Sequence, residues 1–114
     1  MITKLKIALA LLLACNLNSA DAQKIFSADA EYKAKVKVFV VDAEYKADLI
    51  VYKEDAEYKA KGNDGKWYFV DASYKADKII FFVDAEYKAD LKVYFADASY
   101  KANWKNSSKK HLMY

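Results

Sequence analysis

The sequence has no proline, no arginine, one cysteine, one histidine and two glycines among its 114 residues. A single cysteine excludes a disulfide within the chain. The lack of arginine argues against recognition of phosphate or guanine, because that work depends on the planar guanidinium group. All 19 basic residues are lysine, and they are interleaved with 16 acidic residues. The chain therefore has no basic patch in its sequence, and we expect no binding to nucleic acid.

The first 22 residues have the layout of a secretory signal peptide. Two lysines precede an apolar run at residues 7–14, and Ala20-Asp21-Ala22 supplies the small residues of a cleavage site. The apolar run is too short to span a membrane permanently. We therefore predict an N-terminal signal helix, cleavage after residue 22, and a single secreted or periplasmic domain of residues 23–114.

The same segment leaves a second processing route open. The sequence "LLAC" ends at Cys15 and resembles a bacterial lipobox, so Cys15 is a possible lipid anchor in the envelope. An uncleaved anchor is the least favoured outcome. No membrane span is expected after processing, and the mature domain has no cysteine under either route.

Residues after the signal peptide repeat one phrase six times: an aspartate, then Ala, then Glu or Ser, then Tyr-Lys-Ala. The marker residues are Asp29, Asp42, Asp55, Asp71, Asp84 and Asp97. Their spacing is 13 residues, except for 16 at the centre, where both glycines, Gly62 and Gly65, lie. Three copies on each side of this joint predict two halves related by a pseudo-twofold axis. Glycines at the joint predict positive φ angles there.

Each copy is predicted to hold two short strands joined by a bend at the aspartate. Segments such as "KVFVV" and "IIFFV" are β-branched and aromatic. The phrase "AEYKAD" alternates apolar and charged residues with the period of a strand. A helix start is the alternative for that phrase, because aspartate is a good N-cap. The favoured fold class is all-β, with six 13-residue strand-and-bend repeats in two halves.

Two sets of recurring aromatic residues are predicted to fill the core. A Phe or Tyr stands three residues before each of the six repeat aspartates, so Phe81→Ala is expected to cost roughly 3–5 kcal/mol of stability. The tyrosine of each repeated phrase alternates with charged residues, which also favours the core over a solvent-facing platform for sugars. The two sets are Phe26, Phe39, Tyr52, Tyr68, Phe81 and Tyr94, and Tyr32, Tyr45, Tyr58, Tyr74, Tyr87 and Tyr100.

No catalytic or metal-binding constellation stands out. His111 lies in a polar tail, and Ser73 and Ser99 replace the Glu of other copies, so the serines have no oriented base. The aspartates lack the spacing of a calcium loop, which favours six equivalent turns over calcium ligands. We expect no enzyme activity, no cofactor and no resident metal. Departures from the repeat are few: Ser27, Lys53-Glu54, the "GNDG" joint and the C-terminal tail.

The repeated "VDAEYKADLKVYF" and the closing "NWKNSSKKHL" resemble the small bacterial septknot family. Its members repeat V-D-x-x-Y-x-A-D-x-K-V-Y-F and end in Trp-(Lys/Arg)-Asn-x-Ser-Lys-Lys-His. The resemblance covers residues 24–112. It implies a β-rich domain threaded into a deep knot of seven crossings, with no established activity. Ala follows the aspartate where many members have Tyr, and Lys105 stands where Arg is common, so ligand contacts of those residues do not carry over.

Two functions are open on this basis. The favoured one is an exported, knotted, non-enzymatic structural or interaction protein of the envelope or periplasm, expected to be a monomer with an unknown protein or envelope partner. The alternative is a small-ligand or glycan-binding module that uses exposed aromatic side chains. Trp67 and Trp104 are its least repetitive candidates. Both replace aliphatic positions of the repeat, which favours the core for them.

Overall fold

The structure, a computed structural model, describes residues 23–60 and 62–114. The predicted signal peptide lies outside the described residues. The strands are β1 Lys24–Ser27, β2 Val36–Val40, β3 Leu49–Lys53, β4 Lys66–Phe69, β5 Lys78–Phe82, β6 Leu91–Phe95 and β7 Asn103–Trp104. The 3-10 helices are Glu31–Lys33, Glu44–Lys46, Glu57–Lys59, Ser73–Lys75, Glu86–Lys88, Ser99–Lys101 and Ser107–Met113.

Six strands form a closed parallel barrel. Their order around the ring is β4-β1-β5-β2-β6-β3, and a pairing of β3 with β4 closes it. Strand β7 adds to β3 in the antiparallel sense. The first half supplies β1 to β3 and the second half β4 to β6, so strands of the two halves alternate all the way around the closed ring. The prediction of an all-β chain built from repeated strand-and-bend units is confirmed.

Each barrel strand is followed by a crossover, the segment that runs back along the outside of the barrel to the next strand. In the β2–β3 crossover this segment is residues 41–48. A five-residue strand rises about 17 Å and eight extended residues reach at most about 28 Å, so no α-helix is needed for the return. The β1–β2 crossover contacts β5, and the β2–β3 crossover contacts β6. These crossovers therefore cover the strand that their connection skips.

The phrase "AEYKAD" does not form a strand, and that prediction was wrong. In each copy the residues Glu or Ser, Tyr and Lys make one turn of 3-10 helix. In the first copy the N–H of Lys33 donates to Ala30 O and the N–H of Ala34 donates to Glu31 O, both at 3.1 Å. Since the crossover lies outside the sheet, its N–H groups find acceptors within their own turn. The predicted bend at each aspartate is confirmed.

The barrel interior is filled from the position four residues before each aspartate. The six side chains at this position are completely buried, and a neighbouring layer packs beside them. They are Ile25, Val38, Val51, Trp67, Ile80 and Val93. The aromatic residues one position later, predicted to form the core, are only half-buried. Because successive strand residues point to opposite faces, a shift of one position placed the core on the wrong side of the sheet.

The C-terminal lid, which consists of the 3-10 helix Ser107–Met113 and Tyr114, closes the end of the barrel at which the strands begin. Met113 is completely buried, and Gln23 Nε2, beside the start of β1, donates to Met113 O at 3.2 Å. Lys78 Nζ, at the start of β5, donates to Tyr114 O at 2.7 Å. Asn63 of the joint donates through Nδ2 to Lys110 O at 3.1 Å. This lid leaves the opposite end of the barrel, where the strands end, to be closed by side chains of the strands themselves.

Candidate functional site

At the end where the strands finish, one residue from each barrel strand lines a cavity of about 370 Å³. We call this cavity the barrel mouth. Each lining residue stands two positions before its aspartate. Around the ring they are Phe69, Ser27, Phe82, Val40, Phe95 and Lys53. Ligand sites in parallel β-structures commonly lie at this end of the strands.

The barrel mouth breaks the symmetry between the two halves of the chain. The second half contributes Phe69, Phe82 and Phe95. At the equivalent positions of the first half stand Ser27, Val40 and Lys53, each 42 residues earlier. Ser27 and Lys53 are two of the departures from the repeat that the sequence revealed. The fold brings these two exceptions into one site at the end where the strands finish.

Three phenylalanines, half of the six lining residues, form an aromatic wall at the barrel mouth. The ring centroid of Phe82 lies 6.4 Å from those of Phe69 and Phe95. Trp67 lies one layer deeper on β4 and meets Phe69 and Phe95 edge-on, with centroid distances of 6.0 and 6.5 Å. The edge-on contacts of Trp67 are favourable for aromatic pairs. The wall is therefore held in place by the buried core beneath it.

Lys53 is the one charged residue that lines the barrel mouth. Its ammonium Nζ lies 5.5 Å from the ring centroid of Phe69 and 5.7 Å from that of Phe95, in cation–π geometry. Within residues 23–60 and 62–114, no ion pair joins this ammonium to a carboxylate. A positive charge is thus held over an apolar cavity by two aromatic rings.

The two tryptophans proposed as ligand contacts lie in different places. Trp67 is completely buried beneath the barrel mouth, in the core position expected from the repeat. Its indole N–H has no acceptor among the described residues. Trp104 is half-buried near the opposite end, where its Nε1 donates to Asn63 O at 2.6 Å. The fold does not bring the two indoles together into one site.

The tyrosines of the repeated phrase are on the outer surface of the protein. Their exposed fraction is 73–85%, so the prediction that they fill the core was wrong. They lie on the 3-10 turns of the crossovers, outside a barrel whose interior is already filled by residues of the strands. In five copies the Nζ of the following lysine lies 5.9–6.0 Å from the tyrosine ring centroid. We call this set the outer tyrosines: Tyr32, Tyr45, Tyr58, Tyr74, Tyr87 and Tyr100.

Every repeat aspartate forms an ion pair with the lysine four residues later. The Oδ1–Nζ distance is 2.9–3.1 Å in all six copies. The hydrogen bond from this lysine is the main cause that lowers the pKa of each carboxyl group. In the described part of the chain, no three Asp, Glu, His or Cys side chains cluster as metal ligands do. Each carboxylate therefore pairs with a lysine of its own crossover and stabilises the 3-10 turn between them.

A second set of aspartates, which the sequence did not single out, joins the two halves. Asp90 donates its N–H to Lys37 O at 2.7 Å and accepts the N–H of Lys37 through Oδ2 at 3.0 Å. Asp77 and Lys24 form the same pair of bonds, as do Asp48 and Lys92. In each case a crossover of one half is bound to a strand of the other. The repeated "KAD" before a strand was the available signal for this two-point contact.

Residues considered for catalysis are separated in the structure. Ser73 and Ser99 are exposed at the first positions of two 3-10 turns. His111 is exposed in the C-terminal lid, with Nδ1 3.1 Å from Ser108 O. No helix within the described ranges is both long and apolar enough to cross a membrane.

Comparison with known families adds one finding. A family model described as the 7(1) septoil knot domain matches residues 22–105. No curated protein and no solved structure matches the chain.

Proposed function

Because this chain belongs to the septoil knot family, whose description names a fold and not an activity, we propose that it is an exported, non-enzymatic interaction protein of the cell envelope or periplasm. A knotted backbone and a monomeric state are part of this proposal. The alternation of the two halves around the ring supports the knot. Closure of the barrel supports the monomer, because it leaves no open barrel edge for another chain.

The exposure of the outer tyrosines is the observation that carries the proposal. Six large aromatic side chains, each at least 73% exposed, are unusual on a protein with a filled core. Tyrosine is enriched at contact surfaces because its ring supplies area and its hydroxyl a hydrogen bond. Repetition offers one such contact from every crossover, so weak contacts can add up on a multivalent partner.

A glycan is the second candidate partner. The same exposure favours it, because a ring open to solvent can stack on a sugar face. Binding to a polysaccharide through the outer tyrosines is the platform that the sequence offered as an alternative. The two candidates share one surface and differ in the partner that occupies it.

The test removes tyrosine rings and leaves the barrel intact. A triple variant with Tyr32, Tyr45 and Tyr58 changed to Thr is compared with the wild type for co-sedimentation with envelope membranes, purified peptidoglycan and chitin. We expect retention by at least one of these materials to fall at least tenfold at an unchanged melting temperature. Glu31, Glu44 and Glu57 changed to Gln, in the same turns, form the matched control and should bind as the wild type does.

The materials separate the candidates. Retention on membranes alone supports a protein or lipid-surface partner, and retention on the polysaccharides supports a glycan. Equal retention of the tyrosine variant and the wild type would remove the outer tyrosines as the contact surface. Export is tested by the intact mass of the secreted protein, which should begin at Gln23. A lipid-modified start at Cys15 would instead support the anchored form.

A further inference from the structure

The barrel mouth combines three properties that the repeat itself does not require. It is a cavity of about 370 Å³, its wall is aromatic, and its single charge is the Lys53 ammonium. The other end of the barrel is closed by the C-terminal lid, with Met113 completely buried. At the mouth, the first half places a serine, a valine and a lysine where the second half places phenylalanine. If these positions served only to close the barrel, phenylalanine, which the second half has at all three of them, would serve in the first half as well.

We propose that the barrel mouth binds a small monocarboxylate whose body is aromatic or branched aliphatic. The apolar body lies against Phe82 and its two aromatic neighbours, and the carboxylate pairs with the Lys53 ammonium. This site is separate from the outer tyrosines and does not depend on their function. A cavity of about 370 Å³ lies at the small end of the range for ligand pockets, roughly 300–1,000 Å³.

The geometry around the ring supports this orientation. Lys53 stands between Phe95 and Phe69 in the order of strands, and Phe82 stands opposite Lys53. A ligand across the mouth therefore meets the ammonium at one side and an aromatic face at the other. Ser27 lies between Phe69 and Phe82 and offers a hydroxyl to a polar substituent on the body of the ligand.

Charge decides between three classes of small ligand. A three-sided phenylalanine wall alone would suit a cation. The Lys53 ammonium already lies over two of those rings, and it repels a second cation. A phosphate needs several donors to offset the loss of its water, and this cavity has one ammonium and one hydroxyl in an apolar wall. A single negative charge on an apolar body matches what the mouth contains.

Two indole groups give the experiment an internal control. Phenylacetate, neutral phenylacetamide and cationic phenethylamine are titrated into the ¹⁵N-labelled protein and followed by two-dimensional NMR. Phenylacetate should shift the indole signal of Trp67, which lies beneath the mouth, and leave that of Trp104 unchanged. Phenylacetamide should bind at least tenfold more weakly, and phenethylamine should produce no shift. Equal binding of all three compounds, or no shift of Trp67 with any of them, would overturn the proposal.

Variants then test the two contacts separately. Lys53→Gln should weaken phenylacetate binding about tenfold, whereas Lys35→Gln, an exposed lysine away from the mouth, should leave it unchanged. Val40→Phe copies the residue that the second half has at the equivalent position, so it should fold and fill the cavity. That variant should abolish the Trp67 shift. Unchanged binding in Lys53→Gln would show that the lysine only covers the aromatic wall and would also overturn the proposal.

Discussion

Gly65 occupies a position at which the fold leaves no space for a side chain. Its φ angle is +96°, and a Cβ atom there would collide with the carbonyl oxygen of Ile50. Gly62 also has a positive φ, +68°, but its Cβ would meet only Asp64 Oδ2, at 3.5 Å. The positive φ angles predicted for the joint are confirmed, and only one of the two glycines is also required by packing.

Substitution of the two glycines should therefore have unequal effects. Gly65→Ala is expected to lower the free energy of unfolding by about 3 kcal/mol or more, because the backbone of β3 has to move. Gly62→Ala should cost about 1 kcal/mol, the penalty of a left-handed conformation for alanine. Urea denaturation of both variants measures the difference. Equal losses would mean that the joint adapts to a side chain at Gly65.

Neighbouring residues of β5 lie on opposite faces of the barrel wall. Ile80 is completely buried in the interior, and Phe81 is half-buried on the outer face. We expect Ile80→Ala to cost about 3–5 kcal/mol, because it leaves a cavity in a closed barrel. Phe81→Ala should cost about 1–2 kcal/mol of stability. This is less than the loss predicted from the sequence, because the ring of Phe81 is only half-buried. A larger loss for Phe81 in chemical denaturation would contradict this assignment of the faces.

At the scale of elements, the crossovers are held by exposed ion pairs whose effect depends on pH. The hydrogen bond from Lys33 lowers the pKa of Asp29, and the other five copies repeat this pair. Since the folded pKa is below the unfolded value of about 3.9, the pairs stabilise the fold above about pH 4. That contribution is lost as the pH falls through the lowered pKa.

Carboxyl-carbon NMR titration tests this directly. The six repeat aspartates should titrate below the ordinary aspartate value. In Lys33→Gln the pKa of Asp29 should return toward that value, while the five remaining aspartates serve as internal controls. Because the pairs are exposed, high salt should reduce the shifts. An unchanged titration of Asp29 in Lys33→Gln would mean that the ion pair does not form in solution.

At the scale of the whole molecule, the sheet is almost entirely non-local. Five of the six barrel pairings join residues 44 or 53 positions apart in the chain. Each pairing also joins one half of the chain to the other, so neither half can form the barrel alone. Chains with such contacts fold slowly, because the entropy of closing long loops is lost before the stabilising contacts between the distant residues form.

We therefore expect spontaneous but slow refolding from denaturant. Unfolding and refolding curves should show hysteresis unless equilibration is long, because threading adds to the barrier. The described residues contain no cysteine and no proline, so a reductant should have no effect and proline isomerisation cannot account for the slow phase. Refolding within milliseconds, with coincident curves, would count against a knot in this chain.

The amino-acid sequence alone predicted the repeat, the strand in the apolar part of each copy, the bend at each repeat aspartate and the positive φ angles at the joint. These features are local: they follow from residue types and from spacing along the chain. It also identified Trp67 as a core residue, because Trp67 occupies an aliphatic position of the repeat. Ser27 and Lys53 were visible as exceptions, although nothing local placed them in one site.

The pairing of the strands, the face of each strand that lies inside and the position of the tyrosines depend on long-range packing, which the sequence did not reveal. Strand partners 44 or 53 residues apart leave no mark in a local pattern. Both faces of each strand carry apolar side chains, because an aliphatic residue or Trp67 stands four residues before the repeat aspartate and Phe or Tyr stands three before it, so hydrophobic periodicity could not choose between the faces. The interior of a six-stranded barrel is narrow, and it accepts the aliphatic set with one tryptophan rather than six aromatic rings. The Phe and Tyr side chains three residues before each repeat aspartate therefore lie on the outer face, and the tyrosines of the crossovers are exposed because the crossovers run outside the barrel.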